Sequence, residues 1–139
     1  MREIKFRVWD KKTKLMLSYD ENPDNNLFVP CCDYNYDYAE YLQCTGLKDC
    51  NDIEIFEGDI VENNGAYSFI LPKVPNEDIK ILIVVKNETG FMLVTPINYK
   101  NDFSYNAFGN IDNYSFWNFH RRLKVLGNIY ENPELLEGV

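Results

Sequence analysis

Cysteine, histidine and clustered carboxylates are the side chains with which this chain could do chemistry, and their spacing tests each idea. Cys31 and Cys32 are adjacent, Cys44 and Cys50 have five residues between them, and the lone His120 lies far along the chain. Structural zinc usually takes its ligands as close pairs, about two to four residues apart, from two places in the chain. The spacing here favours buried or incidental thiols instead. A Cys–His dyad is formally available, as in many nucleophilic enzymes, but any cysteine and any histidine would satisfy it. In Phe119-His120-Arg121-Arg122 the simpler reading is a surface histidine beside two arginines. Asp20-Glu21-Asn22-Pro23-Asp24-Asn25 starts like a calcium loop, yet Asn25 stands at the glycine position and Cys31 at the closing bidentate acid. Glycine-rich phosphate loops and Gly-x-Ser-x-Gly are absent from the sequence. The expectation is a protein that is not an enzyme, with no catalytic residue, no metal site and no cofactor.

Binding chemistry has more to work with. Phe116, Trp117 and Phe119 precede Arg121, Arg122 and Lys124, and aromatics interleaved with cations can stack the bases of a single strand. The competing reading makes the aromatics core and pairs the arginines with acids. Against 14 Lys and Arg stand 22 Asp and Glu, a net charge of −8, which repels phosphates at long range and disfavours a nucleic-acid partner. A second cluster places Tyr34, Tyr36, Tyr38 and Tyr41 among acids and asparagines. Tyrosine offers large contact area at low entropic cost, so this surface could meet a protein. It could equally pack over the N-terminal hairpin as a lid. Tyr34, Tyr36, Tyr38, Tyr41, Trp117, Arg121 and Arg122 are therefore the candidate partner-binding residues.

The elements that must position them read as mostly β. Ile4, Phe6 and Val8 alternate with Glu3, Lys5 and Arg7, Asp10-Lys11-Lys12-Thr13 supplies a turn, and Leu15, Leu17 and Tyr19 resume the alternation. That is a hairpin over the first twenty residues. Residues 20–26 are a polar loop, and 31–42 an extended segment or, around Tyr38 to Leu42, a short helix. Thr45-Gly46-Leu47-Lys48-Asp49 reads as a turn, Ile53 to Phe56 as a strand, and Glu57-Gly58-Asp59 as a turn into Ile60-Val61-Glu62. Further strands are expected over Ala66–Leu71, Ile79–Lys86 and Phe91–Thr95, the last two joined by Asn87-Glu88-Thr89-Gly90. Pro96 to Ser115 reads mostly as loop, Leu123 to Ile129 as a last strand, and Asn132-Pro133-Glu134 as a helix start with Asn as its cap. With 139 residues, 45% of them hydrophobic, one domain over 1–139 can bury a core without staples. Its architecture is a small β-barrel or sandwich with one or two minor helices. The N-terminus lacks the apolar core of a signal peptide, and the longest apolar run, Ile81 to Val85, is too short to cross a bilayer. The expectation is an intracellular protein without membrane contact.

Three segments in order are similar to the YopX family of phage and prophage proteins. They are Met1-Arg2-Glu3-Ile4-Lys5-Phe6-Arg7-Val8-Trp9-Asp10 with its Lys-rich turn and Met16; Gln43-Cys44-Thr45-Gly46-Leu47-Lys48-Asp49 running on through Ile55-Phe56-Glu57-Gly58-Asp59-Ile60-Val61; and Val125 to Leu136. Members usually carry Asn-Gly where this chain has Asn51-Asp52, and an aromatic where it has Cys44. The resemblance implies a mainly β protein with a small SH3-like barrel, an N-terminal hairpin and a short C-terminal helix, and no established activity. The leading expectation is an accessory protein in the cytoplasm of a bacterial host, able to self-associate and to act on a host protein such as a defence component. The alternative is a nucleic-acid or nucleotide binder used in phage replication.

Overall fold

The structure, a computed structural model, describes residues 5–18, 39–63, 81–87, 90–100 and 111–137. The expected hairpin is β1 (Phe6–Asp10) and β2 (Leu15–Ser18), paired antiparallel with Val8 opposite Leu17. Its turn is held by the Asp10 carboxylate, which accepts from the Lys12 and Thr13 amides. β1 also pairs with β3 (Ala39–Lys48), and β3 with β4 (Glu54–Phe56), giving the order β2-β1-β3-β4. β5 (Asp59–Asn63), β6 (Ile81–Asn87), β7 (Gly90–Val94) and β8 (Leu123–Asn128) form a second antiparallel sheet, β7-β6-β5-β8. The protein is mainly β, as expected.

Several expectations need correction. Of the two readings of residues 31–42, the extended one holds where the structure describes the segment: residues 39–42 lie in the strand β3, and the alternative of a short helix does not hold there. The turn expected at 45–49 is the irregular end of that same strand. Between the pairs Cys44–Phe56 and Lys48–Glu54, β3 carries extra residues. Gly46 takes φ +81° there, and the Thr45 hydroxyl donates to Ile55 O while accepting from Leu47 N. A bulge stabilised by its own side chain can thus imitate turn chemistry. In the hairpin, Val8 is buried as expected, but Phe6 is exposed, and Trp9 on the opposite face is buried with its ring stacked on Tyr130.

Two short helices occupy parts of the stretch expected to be loop. α1 (Pro96–Lys100) begins with proline at its first position, and Thr95 Oγ1 accepts from Asn98 N. α2 (Asn113–Phe119) is capped by Asp112, whose carboxylate accepts from Ser115 N at 2.8 Å. The C-terminal helix is a 3-10 turn over Pro133–Leu136, with proline at its start. Asn132 does not cap it; its side-chain oxygen accepts from Asn128 N. A Cβ at Gly127 would collide with that side chain, which gives the glycine its reason. The strand expected over Ala66–Leu71, the loop at 20–26, Cys31 and Cys32 lie outside the described residues.

The second sheet is covered on both faces. Val61, Leu82, Val84, Leu93 and Leu123 pack with Ile55, Ile111 and Phe116 on one side. Ile60, Ile83, Met92 and Val94 pack with Leu135 and Leu136 on the other. That is why residues 81–85 are an unbroken apolar run and not an alternating one. Among the described residues no helix is long and apolar enough to cross a membrane.

Candidate binding surface

The Asp112 cap and the burial of Phe116 fix the orientation of α2, since a seven-residue helix gains little stability on its own. Asn113 adds a side-chain bond to Phe91 O at 2.7 Å. With Phe116 inward, Tyr114 and Trp117, three residues apart, share the outer face. They are 76% and 57% exposed. The 3-10 turn His120–Arg122 follows directly and is tied to the segment after β3. His120 Nδ1 bonds with Lys48 O. Arg121 Nη1 donates to Asp49 O at 3.2 Å and to the Asp52 carboxylate at 3.0 Å.

Asp52 has φ +65°, the left-handed backbone that glycine takes without strain and that Asp and Asn tolerate better than most residues. The turn is therefore glycine-like although aspartate stands in it. The hydrogen bond from Arg121 and the charge of Lys48 hold its carboxyl below the ordinary value. Cys50 N donates to Leu123 O. Asp49 completes the anchor: it is fully buried, and its carboxylate accepts from Asn51 N, Ile53 N and Val125 N at 2.8–2.9 Å. A buried carboxylate with three amide donors stabilises the fold and covers the outer edge of β8.

A second enclosed acid sits where the sheets join. The Glu57–Gly58 corner carries the chain from β4 to β5, with Gly58 at φ +86° and Tyr130 Cε2 3.3 Å from where a Cβ would stand. Asp59 accepts from Phe56 N at 2.8 Å and forms a salt bridge with Arg7. The Arg7 guanidinium lies 4.5 Å from the Phe56 ring centroid, and Trp9 stacks on Tyr130 beside it at 5.7 Å. Burial pushes the Tyr130 hydroxyl up to about 12.

Of the residues singled out from sequence, the structure brings Trp117, Arg121 and Arg122 together on α2 and the turn after it. Tyr41 is exposed on β3 in the first sheet, seven residues and roughly 20 Å of strand from Lys48. Tyr34, Tyr36 and Tyr38 lie outside the described residues. Phe116 is core, and Arg121 is paired with acid and backbone. Tyr114 is the surface residue that the sequence reading missed. Its signal was the Asp112 cap followed by aromatics at helical spacing, hidden in a stretch rich in asparagine. Among the described residues no group of three or more His, Cys, Asp or Glu is placed to hold a metal ion. Cys44 is a buried free thiol, with burial pushing it up, and Cys50 is an exposed one.

Comparison with known proteins adds two findings. A family model described as YopX protein matches residues 5–137. The crystal structure of protein EF1440 from Enterococcus faecalis is similar, with 25% identity and a TM-score of 0.57, covering 99% of this chain and 100% of that one. No curated protein matches the chain.

Proposed function

The chain belongs to the YopX protein family, and from that premise we propose that it is a non-enzymatic binding module of a phage or prophage. Its two sheets act as a small SH3-like barrel that, in the cytoplasm of a bacterial host, engages a host protein such as a defence component. The observation that carries this reading is the outer face of α2, where Tyr114 and Trp117 stand exposed on a helix anchored at both ends. Large aromatics held rigidly at a surface bind with little further entropy loss, and such residues dominate protein interfaces.

Charge favours a protein over a nucleic acid at this face. Arg121 is engaged by Asp52 and Asp49 O, and Lys124 stands opposite Glu62 across β5 and β8. The reading is tested by expressing the tagged chain in its host beside a Tyr114→Ala, Trp117→Ala double variant. One protein should be recovered reproducibly with the parent and lost with the variant. Equal recovery from both, or from neither, sinks the proposal. A single-stranded oligonucleotide titrated at low salt should show no binding, and steeply salt-dependent binding lost in Arg121→Glu, Arg122→Glu would favour the replication alternative. Self-association through the same face would appear as a concentration-dependent mass that falls to the monomer in the double variant.

A further inference from the structure

Arg7 belongs to the first sheet and Asp59 to the second, so their salt bridge spans the seam between the sheets. Asp59 is 1% exposed; one oxygen takes the Arg7 guanidinium and the other the Phe56 amide. The Arg7 side chain keeps 16% of its surface in water, while its Nε is buried without a hydrogen-bond partner among the described residues. The guanidinium is thus held by one counter-charge and one aromatic face, on a side chain that is partly in water.

We propose that the Arg7–Asp59 pair is an acid-released latch: when Asp59 takes up a proton, Arg7 loses its counter-charge and leaves the seam, uncoupling the N-terminal hairpin from the second sheet while the fold persists.

Burial pushes Asp59 up to about 6, against the opposing pull of the Arg7 charge and the Phe56 amide, with Asp49 adding to the rise. The titratable groups that act on it are Arg7 from β1, Asp49 from the segment after β3, and the Cys44 thiol from β3. Asn128, its cross-strand neighbour on β8, is neutral, and the raised Tyr130 hydroxyl stays protonated throughout the range. A neutral carboxyl still accepts the Phe56 amide through its carbonyl oxygen. It also costs less to bury than a carboxylate, so protonation favours the folded chain while it frees Arg7.

Trp9, stacked on Tyr130 two residues along β1 from Arg7, reports on the seam. In a Trp117→Phe background it is the only tryptophan of the two that remains. Its fluorescence should change between about pH 7.5 and about pH 4.5, with a midpoint near 6, while far-UV circular dichroism stays constant. Asp59→Asn should show the acid-form signal at every pH. Arg7→Gln, which removes a group that lowers the Asp59 midpoint, should move the Asp59 carboxyl titration seen by carbon NMR to higher pH. A flat Trp9 signal in the parent, a transition that survives in Asp59→Asn, or an unmoved carboxyl midpoint in Arg7→Gln would each overturn the latch; the last needs no Asp59 variant to fold.

Discussion

The seam between the sheets and the outer face of α2 use similar residue types to opposite ends. At the seam, Arg7, Trp9, Tyr130 and Asp59 are enclosed, stacked and hydrogen-bonded to one another and to the backbone. At α2, Tyr114 and Trp117 face water, and the charges beside them are exposed ion pairs such as Arg121–Asp52. Exposed pairs are worth little to stability, whereas a buried carboxylate whose oxygens are occupied by amides cannot be removed without leaving those donors unsatisfied. The Asp49 carboxylate is therefore structural, and the exposed rings of Tyr114 and Trp117 make no comparable contribution to the fold. Abundant acid in a sequence need not mean an acidic site, since two of these aspartates serve the backbone.

Breaking the anchor on the buried side should have the largest effect. Asp49→Ala leaves three part-buried amides without their acceptor and empties a fully buried site, and chemical denaturation should register a loss on the order of 3–5 kcal/mol. A loss below about 1 kcal/mol would mean that water replaces the carboxylate, and the distinction between the two regions would weaken. Asp59→Asn sharpens the comparison through pH. The folded Asp59 titrates near 6 against an ordinary value of 3.8, so its share of stability is fully present below about pH 4 and is lost as pH rises through about 6. Wild-type stability should therefore fall relative to Asp59→Asn between those values, by about 2–3 kcal/mol. A difference that does not vary with pH would show that the carboxylate is already well compensated.

Gly127→Ala comes next. The new methyl meets the Asn132 side chain, and overpacking of this kind costs about 1–3 kcal/mol. Asn132→Gly should rescue part of the loss, because it removes the atoms in collision, and the double-mutant cycle measures how much. Full additivity of the two losses would place the strain elsewhere in the turn.

The first hairpin, the β6–β7 hairpin and the last strand were legible because alternation, a turn and an apolar run are local signals. What escaped notice depends on contacts distant in sequence. Asp49 and Asp59 look like any two of 22 acids until β8 and β1 bring Val125 N and Arg7 to them. The strand end at 45–48 reads as a turn because Thr-Gly chemistry serves a bulge as well as it serves a turn. α2 was hidden because asparagine and aromatics have weak helix propensity, and here a cap and one buried phenylalanine override it. The site was legible in part: Trp117 was named, but its partner Tyr114 becomes visible only once the helix places both on one face.

The smallest effect on stability is expected where the effect on binding should be largest. Tyr114→Ala with Trp117→Ala removes two side chains that face water, and the fold should change by no more than about 0.5 kcal/mol in chemical denaturation. Helix propensity even favours alanine at both positions, which offsets whatever packing along the helix surface is lost. If those aromatics instead pack against a neighbouring part of the fold in solution, the double variant will lose stability as a core variant does, and the contrast with the seam will fail. Asp52→Gly is the companion test at the same face. It relieves a left-handed backbone position, worth about 1 kcal/mol, and gives up the exposed partner of Arg121. Unchanged or slightly raised stability, with partner capture retained, would separate the aromatic contact from the charge beside it. Loss of capture in Asp52→Gly alone would move the recognition from the rings to the Arg121 ion pair.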